Sequence, residues 1–369
     1  MTDGYEEFTG TRPVDERLRF DVGALETWMR ARVEGFAGGL AVAQFKGGQS
    51  NPTYLLSAGE RRWVLRRKPP GKLLPSAHAV DREYRVITAL ANSGVPVPRT
   101  HGLCLDENVI GTAFYLMDYV AGRVFWAPTL PDLSYTERAS VFADMNRVIA
   151  CLHAVDPAAC GLTDFGKPGN YFARQIERWT RQYHASAAPR IDAMERLIEW
   201  LPQHIPPGDE TALVHGDYRL DNLIFHPSEP RILAVLDWEL STLGHPLADF
   251  SYHCMMWQLP PGTFRGFGAA DLASLGIPSE RDYVAAYCRR VGRGPIEPEQ
   301  WEFYGAYSLF RLAAILQGIL GRVAEGTAAS ARAVAAGQAA PGLAELAWQK
   351  AQHIEARRIP KPPRTRSSP

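Results

Sequence analysis

The segment HGDYRLDN at residues 215–222 constrains this chain more than any other stretch. It places Asn222 five residues after Asp217, and a second carboxylate, Asp237, follows fifteen residues after Asn222. Kinases use this layout, because one carboxylate orients and deprotonates an attacking hydroxyl while the Asn and the second carboxylate hold Mg²⁺ against nucleotide phosphates. The spacing therefore predicts Asp217 as a catalytic base and Asn222 and Asp237 as Mg²⁺ ligands.

The alternative for these three residues is a role in turns, where isolated Asp and Asn are common. Here they border the apolar runs 212–214 and 232–236, which read as buried strands. A carboxylate at the end of a buried strand is costly unless a metal or another partner compensates its charge. We therefore favour the catalytic interpretation.

Two neighbours of Asp217 receive separate predictions. Arg219 is placed to offset the charge that develops on a transferring phosphoryl group, with an exposed surface Arg as the alternative. His215 precedes the base at the end of a predicted strand. We interpret His215 as a packing and hydrogen-bonding residue that shapes the loop, and not as a catalytic acid or base.

A small-residue turn lies between two predicted strands near the N-terminus. Its sequence is Gly47, Gly48, Gln49, Ser50 and Asn51. Small residues at such a turn let backbone N–H groups approach phosphate oxygens, so these residues are predicted to contact a nucleotide. The chain has neither a G-x-x-x-x-G-K-[ST] nor a G-x-G-x-x-G motif, which argues against a P-loop or Rossmann site.

The strand that follows this turn ends in cations. A kinase uses a cation at this point to hold the α- and β-phosphates, and a Glu on the next helix braces it. We predict Arg66 and Glu83 for these roles, with Arg67 or Lys68 as competing cations. Lys is the usual residue at position 66, and Arg is not an equivalent replacement.

Two further segments surround the predicted nucleotide site. An interlobe hinge whose backbone reads an adenine edge is predicted at Met117, Asp118, Tyr119 and Val120. A basic run comprises Arg61, Arg62, Arg66, Arg67, Lys68 and Lys72. We interpret this run as a solvated edge in preference to a grip for an anionic substrate.

The distribution of strand and helix signals predicts an α+β, bilobal fold. Strand patterns dominate up to about residue 120, and helical patterns dominate after it; one of these helices begins at a capping box formed by Ser134 and Glu137. The predicted N-lobe is a small antiparallel β-sheet with one main helix, and the C-lobe is larger and helical. The predicted divisions are a flexible N-terminus at 1–20, a nucleotide-binding N-lobe at 21–120, a C-lobe with catalytic loop and acceptor site at 121–355, and a disordered tail at 356–369.

Composition excludes several classes of function. Lys plus Arg and Asp plus Glu number 40 each, whereas a nucleic-acid binder usually carries a basic excess. The five scattered cysteines include no C-x-x-C pair, so neither a disulfide framework nor a zinc site is indicated. The acidic N-terminus is unlike a secretory signal, and no apolar run approaches the ~20 residues of a membrane span. We expect a cytoplasmic monomer or homodimer without nucleic-acid or membrane partners.

Together these motifs resemble the aminoglycoside phosphotransferase family, which has a protein-kinase-like fold. HGDxxxxN at 215–222 and DWE at 237–239 carry the resemblance, and the order of the other motifs extends it over roughly residues 30–325. More narrowly, GGQSN at 47–51, VLRRKPPG at 64–71 and DWELS at 237–241 resemble phosphotransferase domains fused to, or found with, acyl-CoA dehydrogenases.

The resemblance implies ATP and Mg²⁺ as cofactors and a hydroxyl as the phosphate acceptor. It also implies that Asp249 anchors the catalytic loop, and that an Arg at position 66 is compatible with activity, since the subgroup shares it. The subgroup points to a hydroxyacyl-CoA or hydroxy acid as the small-molecule acceptor, with an acyl-CoA dehydrogenase as a possible partner. Aminoglycosides and amino alcohols are the alternatives, although such cationic substrates favour an acidic pocket and the chain has no acidic excess.

Two rival functions remain to be weighed. A pseudokinase-like module could bind nucleotide and dock onto an acyl-CoA dehydrogenase without catalysis, but Asp217, Asn222 and Asp237 are all present. A protein kinase would need a long peptide-docking and activation segment after the second carboxylate. Asp249 follows only twelve residues after Asp237, and this spacing favours a small acceptor.

Overall fold

The structure is a computed structural model that describes residues 9–47, 51–71, 79–259, 266–324 and 331–358. The strands are β1 (Thr11–Arg12), β2 (Ala41–Phe45), β3 (Thr53–Ala58), β4 (Arg61–Arg67), β5 (Thr100–Cys104), β6 (Phe114–Asp118), β7 (Ala212–Val214), β8 (Leu223–Phe225), β9 (Ile232–Val235) and β10 (Thr242–Gly244). The α-helices are α1 (Val22–Arg30), α2 (Val80–Leu90), α3 (Tyr135–His153), α4 (Tyr171–Ala185), α5 (Asp192–Trp200), α6 (Pro246–Cys254), α7 (Leu272–Leu275), α8 (Glu280–Arg290), α9 (Pro298–Ala324), α10 (Ala331–Gln338) and α11 (Ala340–Arg358). Short 3-10 helices lie at Glu16–Leu18, Leu201–Gln203, Leu220–Asn222, Trp238–Leu240 and Met255–Trp257.

The chain divides into two compact units. Unit 1 comprises Met1–Phe165, His215–Thr242 and Leu275–Ile277, and unit 2 comprises Gly166–Val214, Leu243–Ser274 and Pro278–Pro369. The predicted boundary near residue 120 falls inside unit 1, which groups the catalytic segment with the N-terminal sheet. Backbone hydrogen bonds explain the grouping. Arg123 and Phe225 form two reciprocal backbone hydrogen bonds, each of 2.8 Å, and the Val235 N–H donates to the Pro96 carbonyl at 2.9 Å.

Unit 1 is built on a six-stranded sheet of order β1-β2-β3-β4-β6-β5, and its strand pairs are antiparallel. The register pairs Tyr54 with Leu65 and Leu56 with Trp63, so these apolar side chains share one face. That face packs with α1 into a core whose members are Leu25, Trp28, Met29, Val33, Phe36, Tyr54, Leu56, Trp63, Leu65, Cys104, Ile110, Phe114 and Leu116. The predicted α+β class with an antiparallel sheet is confirmed.

The start of the chain departs from prediction. Strand β1 pairs with β2 through Thr11 and Phe45, so the sheet begins within the segment predicted to be a flexible N-terminus. Apolar residues near helical spacing predict a helix from Asp21 to about Phe36, whereas α1 ends at Arg30. Turns replace the helix beyond that point, where Gly35 adopts a φ of +69° that favours glycine.

Helix α3 supports the catalytic segment of unit 1. Its predicted capping box is present, with the Ser134 side chain accepting from the Glu137 N–H and the Glu137 carboxylate accepting from the Ser134 N–H. On the helix, Asp144 accepts a 2.7 Å hydrogen bond from the Ile232 N–H. The Tyr218 hydroxyl donates to the Met145 carbonyl at 3.0 Å. The helix therefore holds both the catalytic loop and β9.

Unit 2 contains β7, paired with β10, and the helices from α4 onward. The helical pattern of the sequence predicts one helix over roughly 329–354, whereas α10 and α11 are separate and meet at Ala339. Helix α11 continues to Arg358, beyond the predicted start of a disordered tail at 356. The rest of that predicted tail, 359–369, lies outside the described residues.

Helix α9 corrects the prediction that no apolar stretch approaches the length of a membrane span. Among the described residues, Pro298–Val323 is long and apolar enough by length and composition, and 67% of its most apolar window is buried inside the protein. Core helices of soluble proteins pass the same test. Buried aromatic residues such as Phe303 and Tyr307 are consistent with a core role for α9.

Candidate active site

The β8–β9 hairpin brings the two predicted metal ligands to one place. Its register pairs Leu223 with Val235. Asn222 immediately precedes the first strand, and Asp237 lies two residues beyond the end of the second. The Leu236 N–H donates to the Asn222 carbonyl at 2.8 Å and extends the pairing. Antiparallel pairing therefore places both residues at the same end of the hairpin.

Asp237 adopts a left-handed backbone conformation, with φ of 65° and ψ of 58°. This region is uncommon outside glycine, although Asp tolerates it better than most residues. The next residue stabilises the turn, since Trp238 is 1% exposed and its Nε1–H donates to the Val235 carbonyl at 2.9 Å. The Asp237 side chain remains 31% exposed, which leaves the carboxylate accessible to solvent.

Asp217, the predicted base, contacts Asn222 and Arg219. The Asn222 Nδ2 group donates to the Asp217 carboxylate at 3.1 Å and to its backbone carbonyl at 2.9 Å. An Arg219 guanidinium nitrogen lies 2.9 Å from the same carboxylate oxygen. The carboxylate is therefore oriented by an amide and a cation.

His215 is a fully buried structural residue, as predicted from its position. Its Nε2–H donates to the Leu236 carbonyl at 2.8 Å, and its Nδ1 accepts from the Asp217 N–H at 3.1 Å. These two bonds require the neutral imidazole with its proton on Nε2. The ring also packs against Trp238, with centroids 4.7 Å apart. His215 thereby ties the catalytic loop to the segment that carries Asp237.

Gly216 allows the close approach of these two segments. Its φ of +83° favours glycine, and a Cβ atom at this position would lie 2.7 Å from the Leu240 carbonyl oxygen. A backbone oxygen cannot move aside as a flexible side chain can. Glycine is therefore required where the loop passes Leu240.

Arg66, the predicted phosphate-binding cation, contacts Asp237, the predicted metal ligand. Its Nε lies 2.8 Å from Glu83 Oε2, and its Nη2 donates to Asp237 Oδ1 at 2.6 Å. Glu239 lies 3.8 Å from the same Nη2. Although burial opposes its charge, Glu83 and Asp237 raise the pKa of Arg66 above its ordinary value. The predicted pairing of Arg66 with Glu83 is present in the structure.

The strand period explains why Arg66, and not Arg67, faces this cluster. Successive side chains on β4 point to opposite faces of the sheet. Arg67 therefore lies on the face of the hydrophobic core, where it is 3% exposed, donates to the Ile110 carbonyl at 3.3 Å and stacks over Phe20. Burial lowers the pKa of Arg67. Lys68, the other competing cation, follows the end of the strand.

Glu83 is 1% exposed, and both of its oxygens have donors. The Asn51 Nδ2 group donates to Oε1 at 2.7 Å, and the Tyr115 hydroxyl donates to Oε2 at 3.1 Å. Burial raises the pKa of Glu83 above its ordinary value, and Arg66 opposes that shift. Burial also raises the pKa of Tyr115, reinforced by the nearby Glu83 charge. The neutral phenol can therefore serve as a permanent donor.

The predicted nucleotide turn is only partly described. Gly47 ends one described range, whereas Gly48, Gln49 and Ser50 lie outside the described residues. Asn51 is fully buried with its side chain directed to Glu83, so its side chain has a partner within the protein, while contact of its backbone with a nucleotide stays a prediction. Its amide is committed to the carboxylate that braces Arg66.

The predicted hinge lies at the end of β6. Met117 and Asp118 belong to β6, which pairs with a strand on each side. The Asp118 N–H donates to the carbonyl of Arg99, just before β5, at 2.8 Å, and the Tyr119 N–H donates to the carbonyl of Arg62 in β4 at 3.4 Å. These two amides are therefore engaged within the protein, and recognition of an adenine by the hinge backbone stays a prediction. Val120, the last predicted hinge residue, follows the end of β6.

The basic run separates into unrelated positions. Arg61 and Arg62 are exposed, whereas Arg66 and Arg67 are buried, so the interpretation as a solvated edge fits only the first two. Arg61 donates to the Glu34 carbonyl at 2.6 Å, and Arg62 stacks over the Tyr119 ring at 4.3 Å. Arg66 and Arg67 point to opposite faces of β4, as described above. Lys72 lies outside the described residues.

Charge and ligand type in this cluster suit Mg²⁺. Two guanidinium groups, Arg66 and Arg219, accompany five carboxylates: Glu83, Asp217, Asp221, Asp237 and Glu239. Burial raises the pKa of Asp221, Arg219 opposes the shift and Asp217 adds to it. No group of three or more His, Cys, Asp or Glu residues arranged to hold a metal occurs among the described residues. Mg²⁺ needs no such cage, because it takes one or two protein oxygens together with water and phosphate oxygens.

Sequence reasoning missed three members of this site: the buried role of Asn51, the hydroxyl of Tyr115, and Glu239. Tyr115 is the direct cross-strand partner of Arg66, a relation that only the β4–β6 register reveals. Glu239 did have a local signal, since it stands two residues after Asp237. Asp249 is buried in α6 of unit 2.

The fold and this cluster of residues define a kinase-like phosphotransferase. Comparison with known families agrees, since residues 41–287 match the phosphotransferase enzyme family known as APH. That match covers more than half of the chain. The protein belongs to the APH phosphotransferase family.

Longer proteins are among its relatives. Acyl-CoA dehydrogenase family member 10 of Mus musculus is 48% identical over 341 residues, which are 92% of this chain and 32% of that protein. Acyl-CoA dehydrogenase family member 11 of Rattus norvegicus is 41% identical over 339 residues, 90% of this chain and 43% of that protein. The chain thus spans about a third to two-fifths of the length of these relatives.

One solved structure is similar to this chain over nearly the whole length of both. A crystal structure from Ralstonia eutropha, provisionally described as an aminoglycoside phosphotransferase, is 56% identical with a TM-score of 0.84 and covers 91% of this chain and 99% of its own. A thermostable mutant of aminoglycoside phosphotransferase APH(4)-Ia, in a ternary complex with AMP-PNP and hygromycin B, is 15% identical with a TM-score of 0.59 and covers 89% and 99%. The second likeness shows the fold alone.

Proposed function

We propose that this protein transfers the γ-phosphoryl group of ATP, with Mg²⁺, to a hydroxyl of a small molecule. The proposal rests on the contacts between the predicted phosphate-binding residues and the predicted catalytic residues. Arg66 joins Glu83 to Asp237, and the β8–β9 hairpin joins Asp237 to Asn222, which is bonded to Asp217. Turn residues with a purely structural role would not need to bring these charged groups into contact.

Asp217 acts on the acceptor. Its carboxylate accepts the hydroxyl proton as the acceptor oxygen forms a bond to the γ-phosphorus, while the bond from that phosphorus to the bridging oxygen breaks and ADP leaves. Asn222 orients the carboxylate through its 3.1 Å hydrogen bond. Arg219, 2.9 Å from the same carboxylate, is near enough to offset charge on the transferring group.

Arg66, Asn222 and Asp237 act on the nucleotide. Asn222 and Asp237 would hold Mg²⁺ through an amide oxygen and a carboxylate oxygen, and the bound ion would neutralise charge on the phosphates. Arg66 holds the phosphates, and Glu83 fixes its direction. Because these groups bind and orient without forming covalent bonds, positioning and charge neutralisation supply most of the rate.

For the acceptor we propose a hydroxyacyl-CoA or a related hydroxy acid. This proposal is supported by sequence similarity. The chain matches one part of proteins named acyl-CoA dehydrogenase family members. A partnership with an acyl-CoA dehydrogenase is proposed on the same ground. An aminoglycoside is the alternative acceptor, and the description of the Ralstonia eutropha protein favours it.

The test incubates the protein with ATP and Mg²⁺ against hydroxyacyl-CoAs, hydroxy acids, amino alcohols and aminoglycosides, and detects phosphorylated product by mass spectrometry. Asp217→Asn should keep nucleotide binding and lose transfer by about 10²- to 10⁴-fold, the usual contribution of a general base. Asp132→Asn, at an exposed carboxylate, is the matched control and should retain transfer. Full turnover by Asp217→Asn would remove that residue from the mechanism.

A further inference from the structure

Asn51 follows the predicted nucleotide turn in the sequence and contacts the Glu that braces Arg66. It is fully buried, and its Nδ2 group donates to Glu83 Oε1 at 2.7 Å. The other oxygen of Glu83 accepts a hydrogen bond from the Tyr115 hydroxyl and forms an ion pair with Arg66, whose Nε lies 2.8 Å away. Each oxygen of the bracing carboxylate thus has its own partner.

We propose that Asn51 is a positioning residue for nucleotide binding, whose side chain acts on Arg66 through Glu83 and does not touch the nucleotide. Tyr115 has the same role at the second carboxylate oxygen. The inference rests on the proposed function, in which Arg66 is the cation that holds the phosphates.

The backbone around Asn51 explains how its amide is held in place. Thr53 is the direct cross-strand partner of Arg66, and its hydroxyl donates to the Asn51 carbonyl at 2.9 Å. The Arg67 N–H donates to the Pro52 carbonyl at 3.1 Å and closes the same end of the β3–β4 ladder. The strand pairing that positions Arg66 therefore also positions Asn51.

The energetic reason for an amide here is the burial of Glu83. A carboxylate oxygen that is out of water and has lost its donor carries a large desolvation cost. Without Asn51, Glu83 can relieve that cost by turning its Oε1 elsewhere or by taking up a proton. Either change weakens its contact with Arg66, and the guanidinium is then held mainly by Asp237.

Binding of Mg²⁺·AMP-PNP, measured by isothermal titration calorimetry on the full chain, separates positioning from folding. The dissociation constant reports how well the folded site holds nucleotide, and the stoichiometry reports the fraction of protein that is folded. Asn51→Ala should raise the dissociation constant about ten- to hundredfold, the range expected for a lost hydrogen bond to a buried charge, at unchanged stoichiometry. Asn51→Asp is of equal size but sets a carboxylate against Glu83, and should lose at least as much.

Asn108→Ala is the matched control, since Asn108 is an exposed amide bonded only locally to Asp106 in the same unit. It should bind like the wild type. If Asn51→Ala does not fold, Tyr115→Phe provides the test, because it removes one donor from Glu83 and keeps the ring. We expect a several-fold weaker affinity for that variant.

A dissociation constant within about twofold of wild type for Asn51→Ala, or a reduced stoichiometry with unchanged affinity, would overturn the inference while nucleotide binding by the wild type still stands. Failure of the wild type to bind Mg²⁺·AMP-PNP would overturn the proposed function itself, and the inference with it.

Discussion

At the scale of single residues, the geometry of Arg66 determines how the site is connected. A guanidinium is a planar fork, so its Nε edge can engage Glu83 while its Nη2 engages Asp237. An ammonium group is a compact point charge on a flexible stem and has no such fork. Arg at this position therefore joins the bracing helix to the metal-bearing turn through one rigid group.

Arg66→Lys should weaken nucleotide binding by roughly tenfold, because a single ammonium cannot keep both contacts in fixed directions. Calorimetric titration with Mg²⁺·AMP-PNP measures the effect. Arg61→Lys, at an exposed position on the same strand, is the control and should bind normally. Equal affinity for Arg66→Lys would mean that the fork has no role in holding the nucleotide.

The buried Glu83 predicts a dependence on pH. Burial raises its pKa, which Arg66 only partly opposes, so protonation begins above the ordinary Glu range as the pH is lowered. Nucleotide affinity should therefore fall as the pH decreases through this raised pKa. The protonated form favours the folded state, and that contribution to stability is lost as the pH rises through the same pKa.

Titrating Mg²⁺·AMP-PNP affinity against pH in the wild type and in Glu83→Gln isolates this effect, because the nucleotide's own protonation is common to both. The wild type should show an acid limb that the variant lacks. Superimposable profiles would exclude Glu83 as the titrating group.

At the scale of secondary-structure elements, the β8–β9 hairpin places the metal ligands, and its position depends on a glycine before it. Gly122 packs so closely on the hairpin that a Cβ atom there would lie 2.2 Å from the Phe225 carbonyl oxygen and 2.4 Å from the Ile224 side chain. The backbone contact between Arg123 and Phe225 requires this close approach.

Gly122→Ala should displace β8 and, with it, Asn222 at the start of that strand. We expect a loss of about 1–3 kcal/mol in the free energy of unfolding, typical of overpacking, together with weaker Mg²⁺·AMP-PNP binding. Urea denaturation and calorimetric titration measure the two effects. Gly294→Ala is the matched control, because its added methyl group would meet nothing within 4 Å. Normal stability of Gly122→Ala would show that the hairpin can shift without cost.

At the scale of the whole molecule, the chain returns from unit 2 to complete the site in unit 1. The sheet, α2, α3 and the catalytic segment form one compact unit although residues 166–214 intervene in the sequence. Arg66 and Asp237, whose side chains are hydrogen-bonded, are 171 residues apart. The site therefore exists only in the folded protein.

Ligand binding should consequently raise the melting temperature of the protein. With Mg²⁺·AMP-PNP at about a hundred times its dissociation constant, stabilisation of about 2.7 kcal/mol is expected for a ligand that binds only the folded state. Differential scanning fluorimetry measures the shift. Removing Mg²⁺ with EDTA should cancel most of it, since Asn222 and Asp237 would then lack the ion that joins them to the phosphates. A shift that is independent of Mg²⁺ would contradict the metal role of these two residues.

The sequence by itself determined the class of chemistry and most elements. The motif at 215–222 and the carboxylate at 237 restrict the function, because few reactions need those groups at that spacing. Strand patterns at 40–45, 53–57, 62–67, 100–105 and 113–119 and a helical pattern at 81–91 lie within a few residues of β2 to β6 and α2, since burial on one face leaves a local pattern. The Arg66–Glu83 pair also followed from local order along the chain.

The tertiary structure alone decided which side chains meet. Asn51 and Glu83 are 32 residues apart, and nothing near either one indicates that they share a buried hydrogen bond. The same holds for Tyr115 beside Arg66, for the hinge amides engaged within the protein, and for the grouping of the catalytic segment with the N-terminal strands. Local patterns record only whether a residue is buried, whereas its partner is set by strand register and packing between distant segments.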